Sequence, residues 1–227
     1  MSPLRVSIIG AHGKVAKHLV HKLANLPSEF TPVALIRNPA QAEQFKEINV
    51  ESKLIDLTGP VSDIAAAIKG SDAVVFSAGA AGKPPGPEVI DHQGVVKVLE
   101  ALKDTGIKRF ILVGALKTDN RSAWEGTALH DYYVAKKKAD DAIRAAPHVE
   151  YTILRPGSLS DGPGGKKVLD LKVDDDVTNE DIRRYTIDRA DVAEAAILSL
   201  RNKNTIGKVI PLLNGDGVDL KTFIEKF

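Results

Sequence analysis

The stretch Arg5-Val6-Ser7-Ile8-Ile9-Gly10-Ala11-His12-Gly13-Lys14-Val15-Ala16 decides how the rest of the chain is read. A short β-branched run, Arg5 to Ile9, ends in Gly10. From Val15 to Leu26 the apolar residues recur at helical spacing until Pro27 stops them. A Gly-x-x-Gly-x-x-Ala triplet between a strand and a helix suits the pyrophosphate of a dinucleotide. Gly10 permits the tight turn, Gly13 lets the backbone approach the phosphates, and Ala16 is small enough for the helix to lie close on the sheet. The free N–H groups and positive end of the helix then face the anion. Gly10, His12, Gly13, Lys14 and Val15 are therefore expected to bind a cofactor. The alternative is a generic strand-to-helix turn.

Working outward, strand and helix patterns alternate. Strands are expected at Pro32 to Arg37, Ser52 to Leu57, Ala73 to Ser77 and Arg109 to Val113. Between them lie helices over Pro39 to Glu47, Val61 to Lys69 and Asp91 to Asp104. Continuous apolar runs such as Val74-Val75-Phe76 suit strands buried on both faces of a parallel sheet. Further on, Tyr132 to Ala146 reads as a helix, Val149 to Arg155 as a strand, and Asp188 to Leu200 as a helix. Lys208 to Leu212 and Leu220 to Phe227 supply a last strand and helix. Ser160 to Gly165 and the acidic Val173 to Asp181 lack the pattern of a packed element. The expected fold is α/β, a Rossmann-type doubly wound parallel sheet forming one domain over residues 1–227. Segments of about 115–131 and 157–187 would embellish the substrate side.

Composition narrows the function. Lys and Arg number 31 against 30 Asp and Glu, so no general field draws the chain to nucleic acid or an anionic membrane. The absence of cysteine excludes disulfides, thiolate catalysis and cysteine zinc sites. His12, His18 and His21 have no carboxylate in metal-ligand spacing, so no metal site is expected; Asp174-Asp175-Asp176 reads as a solvated turn. With neither a signal-peptide pattern nor a long apolar run, a cytoplasmic location is expected.

Four other segments carry chemistry. Arg37 ends the second strand, where an NAD-preferring site places a carboxylate; the next acid is Glu43. An arginine there accommodates a 2′-phosphate through a charge-assisted pair, so NADP(H) is expected over NAD(H). Lys14 and His12 would add positive potential. Asp56-Leu57, past the third strand, lies where an adenine would sit, although an Asp after a strand also serves as a turn residue. Ala78, Gly79 and Ala80, in Ser77-Ala78-Gly79-Ala80, offer a trough of small side chains. Tyr132 and Lys136 share one helix face, and so do Tyr133 and Lys137; an ammonium beside a phenol lowers the phenol's pKa, as acid/base work on a carbonyl or alcohol requires. Spacing alone leaves the two registers open. Trp124, near Tyr132, either walls a substrate pocket or packs. Asp188 and Asp191 read as helix caps and dipole partners.

In their order these motifs resemble the short-chain dehydrogenase/reductase superfamily, in its extended and atypical branch, and within it the small NmrA-like NAD(P)-binding group. The resemblance spans nearly the whole chain. It is carried by Gly10 to Ala16, Val74 to Gly79, Asp91-His92-Gln93-Gly94, Gly106-Ile107-Lys108-Arg109-Phe110-Ile111, Tyr132 to Lys136, Tyr151 to Gly157, and Ile187 to Ala193. It implies that Tyr132 is the acid and Lys136 its partner, with Lys136 also holding the nicotinamide ribose. It places Val113 and Pro156-Gly157-Ser158 along the cofactor. Asp91 stands where relatives with a full tetrad have asparagine. Ala115 falls where the family's catalytic serine belongs, which removes an oxyanion hydrogen bond unless Thr118, Ser122 or Thr127 replaces it.

Two functions compete. One is an NADP(H)-dependent oxidoreductase acting on a small carbonyl or quinone-like substrate; the other is a non-catalytic NmrA-like NADP(H) sensor. Epimerase or dehydratase chemistry needs more C-terminal chain for a sugar nucleotide. Substrate identity stays open, no nucleic-acid or membrane partner is expected, and the chain is read as a monomer or homodimer.

Overall fold

The computed structural model describes residues 2–171, Val177 and 179–227, the side chains of Asn179, Ile182 and Arg183 excepted. Asp174-Asp175-Asp176 lies outside the described residues. The strands of the main sheet are β1 (Leu4–Ile9), β2 (Phe30–Ile36), β3 (Glu51–Leu54), β4 (Ala73–Phe76), β5 (Arg109–Val113), β6 (Glu150–Pro156) and β9 (Lys208–Leu212). They pair in parallel in the order β3-β2-β1-β4-β5-β6-β9, confirming the doubly wound sheet read from the sequence. The order reverses beside β1, between β1 and β4, and the crevice there is where such sheets take ligands.

Alternation along the strands divides the core into two layers. In β4, Ala73 and Val75 join the cluster on one face, while Val74 and Phe76 join the cluster on the other. In β5, Ile111 faces the first layer and Phe110 and Leu112 the second. Helices α1 (Lys14–Ala24), α7 (Arg189–Arg201) and α8 (Leu220–Ile224) cover the first face. Helices α3 (Val61–Ile68), α4 (Gly94–Thr105) and α5 (His130–Ala145) cover the second. Helix α1 buries Val15, Ala16, Leu19, Val20 and Leu23, one stripe at helical spacing, and packs along α7.

Several elements differ from the expected ones, each for a local reason. The helix expected over Pro39 to Glu47 is a 3-10 turn, Pro39–Gln41, followed by the short α2 (Glu43–Lys46). Asn38 caps that turn through Ala40 N–H and Gln41 returns the bond, a reciprocal arrangement that fixes a tight start. The helix expected from Asp91 begins instead with a π turn, Glu88–Gln93, before α4, which ends at Gly106 with φ +73°. Between β6 and β9, the two-residue strands β7 (Leu159–Ser160) and β8 (Ile187–Asp188) pair in parallel, and α6 (Asn179–Arg184) lies in a stretch read as unpatterned. No helix among the described residues is long and apolar enough to cross a membrane.

Candidate functional site

The glycine loop has the geometry its sequence requires. Gly10 has φ +78°, and a Cβ on it would sit 2.8 Å from the Ala78 backbone, so this residue brings the first loop against the trough after β4. Gly13 is the N-cap of α1 and makes no side-chain cap bond, and no acidic residue lies in the first turn. The N–H groups of that turn are thus oriented outward with no carboxylate to compete for them. Val15 turns its side chain into the core and contributes only backbone. His12 is exposed beside the loop, and partial burial followed by Lys17 lowers its pKa. Lys14 Nζ lies 3.0 Å from Asp161 Oδ2, and Arg189 Nη1 is 2.6 Å from Asp161 Oδ1. The sequence reading did not single out Asp161 or Arg189, because no local pattern links residues so far apart. A carboxylate thus rests between two cations at the loop, a sign that the loop's surroundings suit anions.

Arg37 and Asp56 stand at the ends of the adjacent strands β2 and β3. Arg37 is exposed and close enough to contribute to the lowering of the Asp56 pKa, whose main cause is the Thr58 side-chain hydrogen bond. Asp56 Oδ1 accepts from Thr58 N at 2.8 Å and Thr58 Oγ1 at 2.7 Å, a turn-forming role for that oxygen. Leu57 is packed in the core under Gly94. Val113 is half-buried at the end of β5. At the far end of the cleft, Pro156 O accepts from Leu116 N and Gly157 N donates to Leu212 O, so those groups are already engaged. A Cβ on Gly157 would come within 2.3 Å of Leu213, and Ser158 is exposed.

Tyr132 and Lys136 lie on α5. Lys136 is 4% exposed, and its Nζ is 3.0 Å from Asp91 Oδ1 and over the Tyr132 ring, 5.5 Å from the centroid. Asp91 in turn accepts from Ala80 N through Oδ2 at 2.9 Å. Gly79 lies close beneath it, since a Cβ would fall 3.0 Å from Asp91 Oδ1 and press on that carboxylate. A chain of contacts therefore joins Tyr132 to Lys136, Asp91 and the trough of Ala78, Gly79 and Ala80.

The expectation of an acidified tyrosine is overturned. Burial pushes the Tyr132 phenol above its ordinary value, and Asp91 and Asp140 add to the rise against the single opposing pull of Lys136. For Lys136, burial works downward, but Tyr132 and Asp91 outweigh it and raise the pKa, keeping the ammonium charged. Helical spacing reveals the Tyr–Lys pair but not the carboxylate, which arrives from the π turn 45 residues earlier.

The hydroxyls named as replacements for the family's serine are engaged elsewhere. Ala115 is buried, and Thr118 Oγ1 bonds its carbonyl at 2.5 Å. Ser122 donates to Asn120 at 2.7 Å and Thr127 to the Trp124 carbonyl at 2.8 Å. Trp124 is buried and stacks on Tyr133 at 5.9 Å with the rings 5° apart, so it packs. Asp188 is the N-cap residue of α7 but makes no cap bond, correcting the expected cap. Its carboxylate accepts instead from Ser160 Oγ at 2.7 Å, and Lys166 pairs with it at 3.2 Å. Asp191, in the first turn as expected of a dipole partner, accepts from Gly165 N and Asn214 Nδ2. Among the described residues no group of His, Cys, Asp and Glu is placed to hold a metal.

Comparison with known proteins agrees with this geometry. Residues 10–203 match the family model described as NAD(P)H-binding. The chain is 42% identical over 225 residues to the UPF0659 protein YMR090W of Saccharomyces cerevisiae, covering 95% of this chain and 96% of that protein. It is 38% identical to the uncharacterized sugar epimerase YhfK of Bacillus subtilis, covering 94% and 95% of the two chains. A solved putative NAD-dependent epimerase/dehydratase from Bacillus halodurans superposes with a TM-score of 0.84 at 32% identity, covering 99% of this chain and 100% of that one. With the loop, the sheet order and these matches in agreement, the chain belongs to the NAD(P)H-binding family of Rossmann-fold, epimerase- and dehydrogenase-like proteins.

Proposed function

We propose that the chain is an NADP(H)-dependent oxidoreductase of the atypical short-chain dehydrogenase/reductase type that reduces a small carbonyl or quinone-like substrate. The observation that carries this reading is the link Lys136–Asp91–Ala80, which ties the acid pair to the trough beside the glycine loop. The fit to a dinucleotide rests on the uncapped start of α1, the Gly10–Ala78 approach and the exposed Arg37 at the end of β2. A bound dihydronicotinamide supplies the hydride. Gly13 to Ala16 hold phosphate by main chain, Lys14 adds charge, and Arg37 takes the 2′-phosphate. Lys136 orients the nicotinamide ribose, and Tyr132 gives the proton to the substrate oxygen.

The experiment is a screen of NADPH consumption against carbonyls and quinones, comparing the wild type with Tyr132→Phe. A fall of about 100-fold or more is expected, as for loss of a general acid. Equal rates would remove Tyr132 from the reaction, and no NADPH uptake at all would end the proposal.

Ala115 favours a second reading, an NmrA-like sensor in which cofactor occupancy changes partner binding. With Thr118, Ser122 and Thr127 engaged, none of the three replaces the family's serine as a donor to the developing oxyanion. Tight NADPH binding without turnover on any substrate would select the sensor.

A further inference from the structure

We propose that Asp91 is a positioning residue that holds the Lys136 ammonium on its carboxylate and so keeps Tyr132 protonated, and able to donate, to higher pH. Three features of the geometry lead there. Nζ of Lys136 is in contact with Asp91 at 3.0 Å and lies over the face of the Tyr132 ring. Both charged groups are almost wholly buried, with side chains 5% and 1% exposed, so their attraction is little screened by water. Finally, Asp91 is itself fixed: its other oxygen takes the Ala80 N–H, and the π turn that presents it packs against α5.

The charged groups around the phenol bias it in the same sense. On α5, Lys136 is balanced by Asp91, and Asp140 is turned to Arg155 of β6, whose Nη2 is 2.6 Å from it. Elsewhere on the π turn, Glu88 bonds His92 at 2.8 Å and Lys138 at 3.0 Å, so its charge is met on the helix exterior. With one ammonium answered by a buried carboxylate, and a second carboxylate nearby, no net positive charge remains to favour a phenolate. Burial raises the phenol's pKa in agreement with this arrangement. Asparagine at 91 would keep the acceptor for Ala80 and remove the carboxylate in contact with the ammonium, leaving it nearer to Tyr132 with only the more distant Asp140 opposed.

The substrate carbonyl carbon accepts a hydride from bound NADPH, which is thereby oxidised to NADP⁺. The C=O π pair moves to oxygen, which takes the Tyr132 proton, and the phenolate left behind is reprotonated from water. Tyr132 must be protonated when the substrate binds, the state that Asp91 favours.

This assignment rests on the oxidoreductase reading for its consequence but is testable without cofactor. Tyrosine labelled with ¹³C at Cζ reports each phenol's titration by NMR, and Tyr132→Phe identifies the Tyr132 resonance among the four. In the wild-type apoprotein the Tyr132 midpoint is expected at or above about 10, the ordinary tyrosine value. Asp91→Asn is expected to lower it by about one pH unit or more, and to move the alkaline fall of NADPH-dependent carbonyl reduction down by about the same amount. A wild-type midpoint clearly below 10, or an Asp91→Asn midpoint unmoved or raised, would overturn the assignment. If the midpoints move as stated while no substrate turns over, Asp91 still sets the proton state and the oxidoreductase reading alone fails.

Discussion

Gly10 and Ala78 meet so closely that a single added carbon between them would lie 2.8 Å from the Ala78 backbone. The contact sits where β1 and β4 end side by side, at the reversal of the sheet order. Gly10→Ala would add a left-handed conformation costing about 1–2 kcal/mol to that clash. The expected outcome is a loss of about 2–4 kcal/mol in urea unfolding together with weakened NADPH binding. A variant as stable as the wild type and equally able to bind would show that the two loops need not touch.

Arg37 tests the preference for NADP(H). It is exposed at the end of β2 with its side chain toward solvent, and a guanidinium–phosphate contact contributes about 1.5–3 kcal/mol. Arg37→Ala should therefore weaken NADPH binding about 10- to 100-fold, and leave NADH nearly unchanged, when both are titrated by nicotinamide fluorescence. Equal losses for the two cofactors would mean that Arg37 does not read the 2′-phosphate.

How legible the chain was follows from how local each signal is. Central strands are legible as runs buried on both faces, as in β4, Ala73–Phe76, whereas the edge strand β3, Glu51–Leu54, has no buried residue. The glycine loop was legible because its requirement lies in consecutive backbone groups. What stayed hidden depends on distant partners. Asp91 was noted only as a replaced asparagine, because its meeting with Lys136 needs both the π turn and the packing of α5. Asp188 was misread as a cap because its position at the head of α7 is local, while Ser160, Gly164 and Lys166, which take its oxygens, belong to a loop with no periodic pattern. Tyr132 was expected to be acidified because the sequence shows the neighbouring ammonium but not the burial that outweighs it.

Arg155 and Asp140 form a buried pair beneath the acid helix, 1% and 0% exposed at their side chains, with Nη2 2.6 Å and Nε 3.1 Å from one carboxylate oxygen. Asp119 meets the same guanidinium at 2.9 Å and also holds Arg144. Removing one partner strands an uncompensated charge, so Arg155→Ala is expected to destabilise by about 3–5 kcal/mol. Thermal unfolding should fall by about 10 °C in a chain of this size. A small change would mean that water replaces the guanidinium at Asp140.

Asp188 gives the fold a dependence on acid. Burial works to raise its pKa, but the Ser160 hydroxyl, the Lys166 ammonium and the Gly164 N–H outweigh burial and hold it below the ordinary carboxylate value. A depressed folded-state pKa means that the unfolded chain binds the proton more readily. The resulting stabilisation is complete above the unfolded value of about 4 and is lost as pH falls through the lower folded value. Asp188→Asn should accordingly be less stable than the wild type at pH 7, with the gap narrowing as pH is lowered from about 5 toward 2. Urea midpoints measured across that range check it. A gap that stayed constant with pH would assign the stabilisation to the shape of the side chain, with its bond network to Ser160 and Gly164, rather than to its charge.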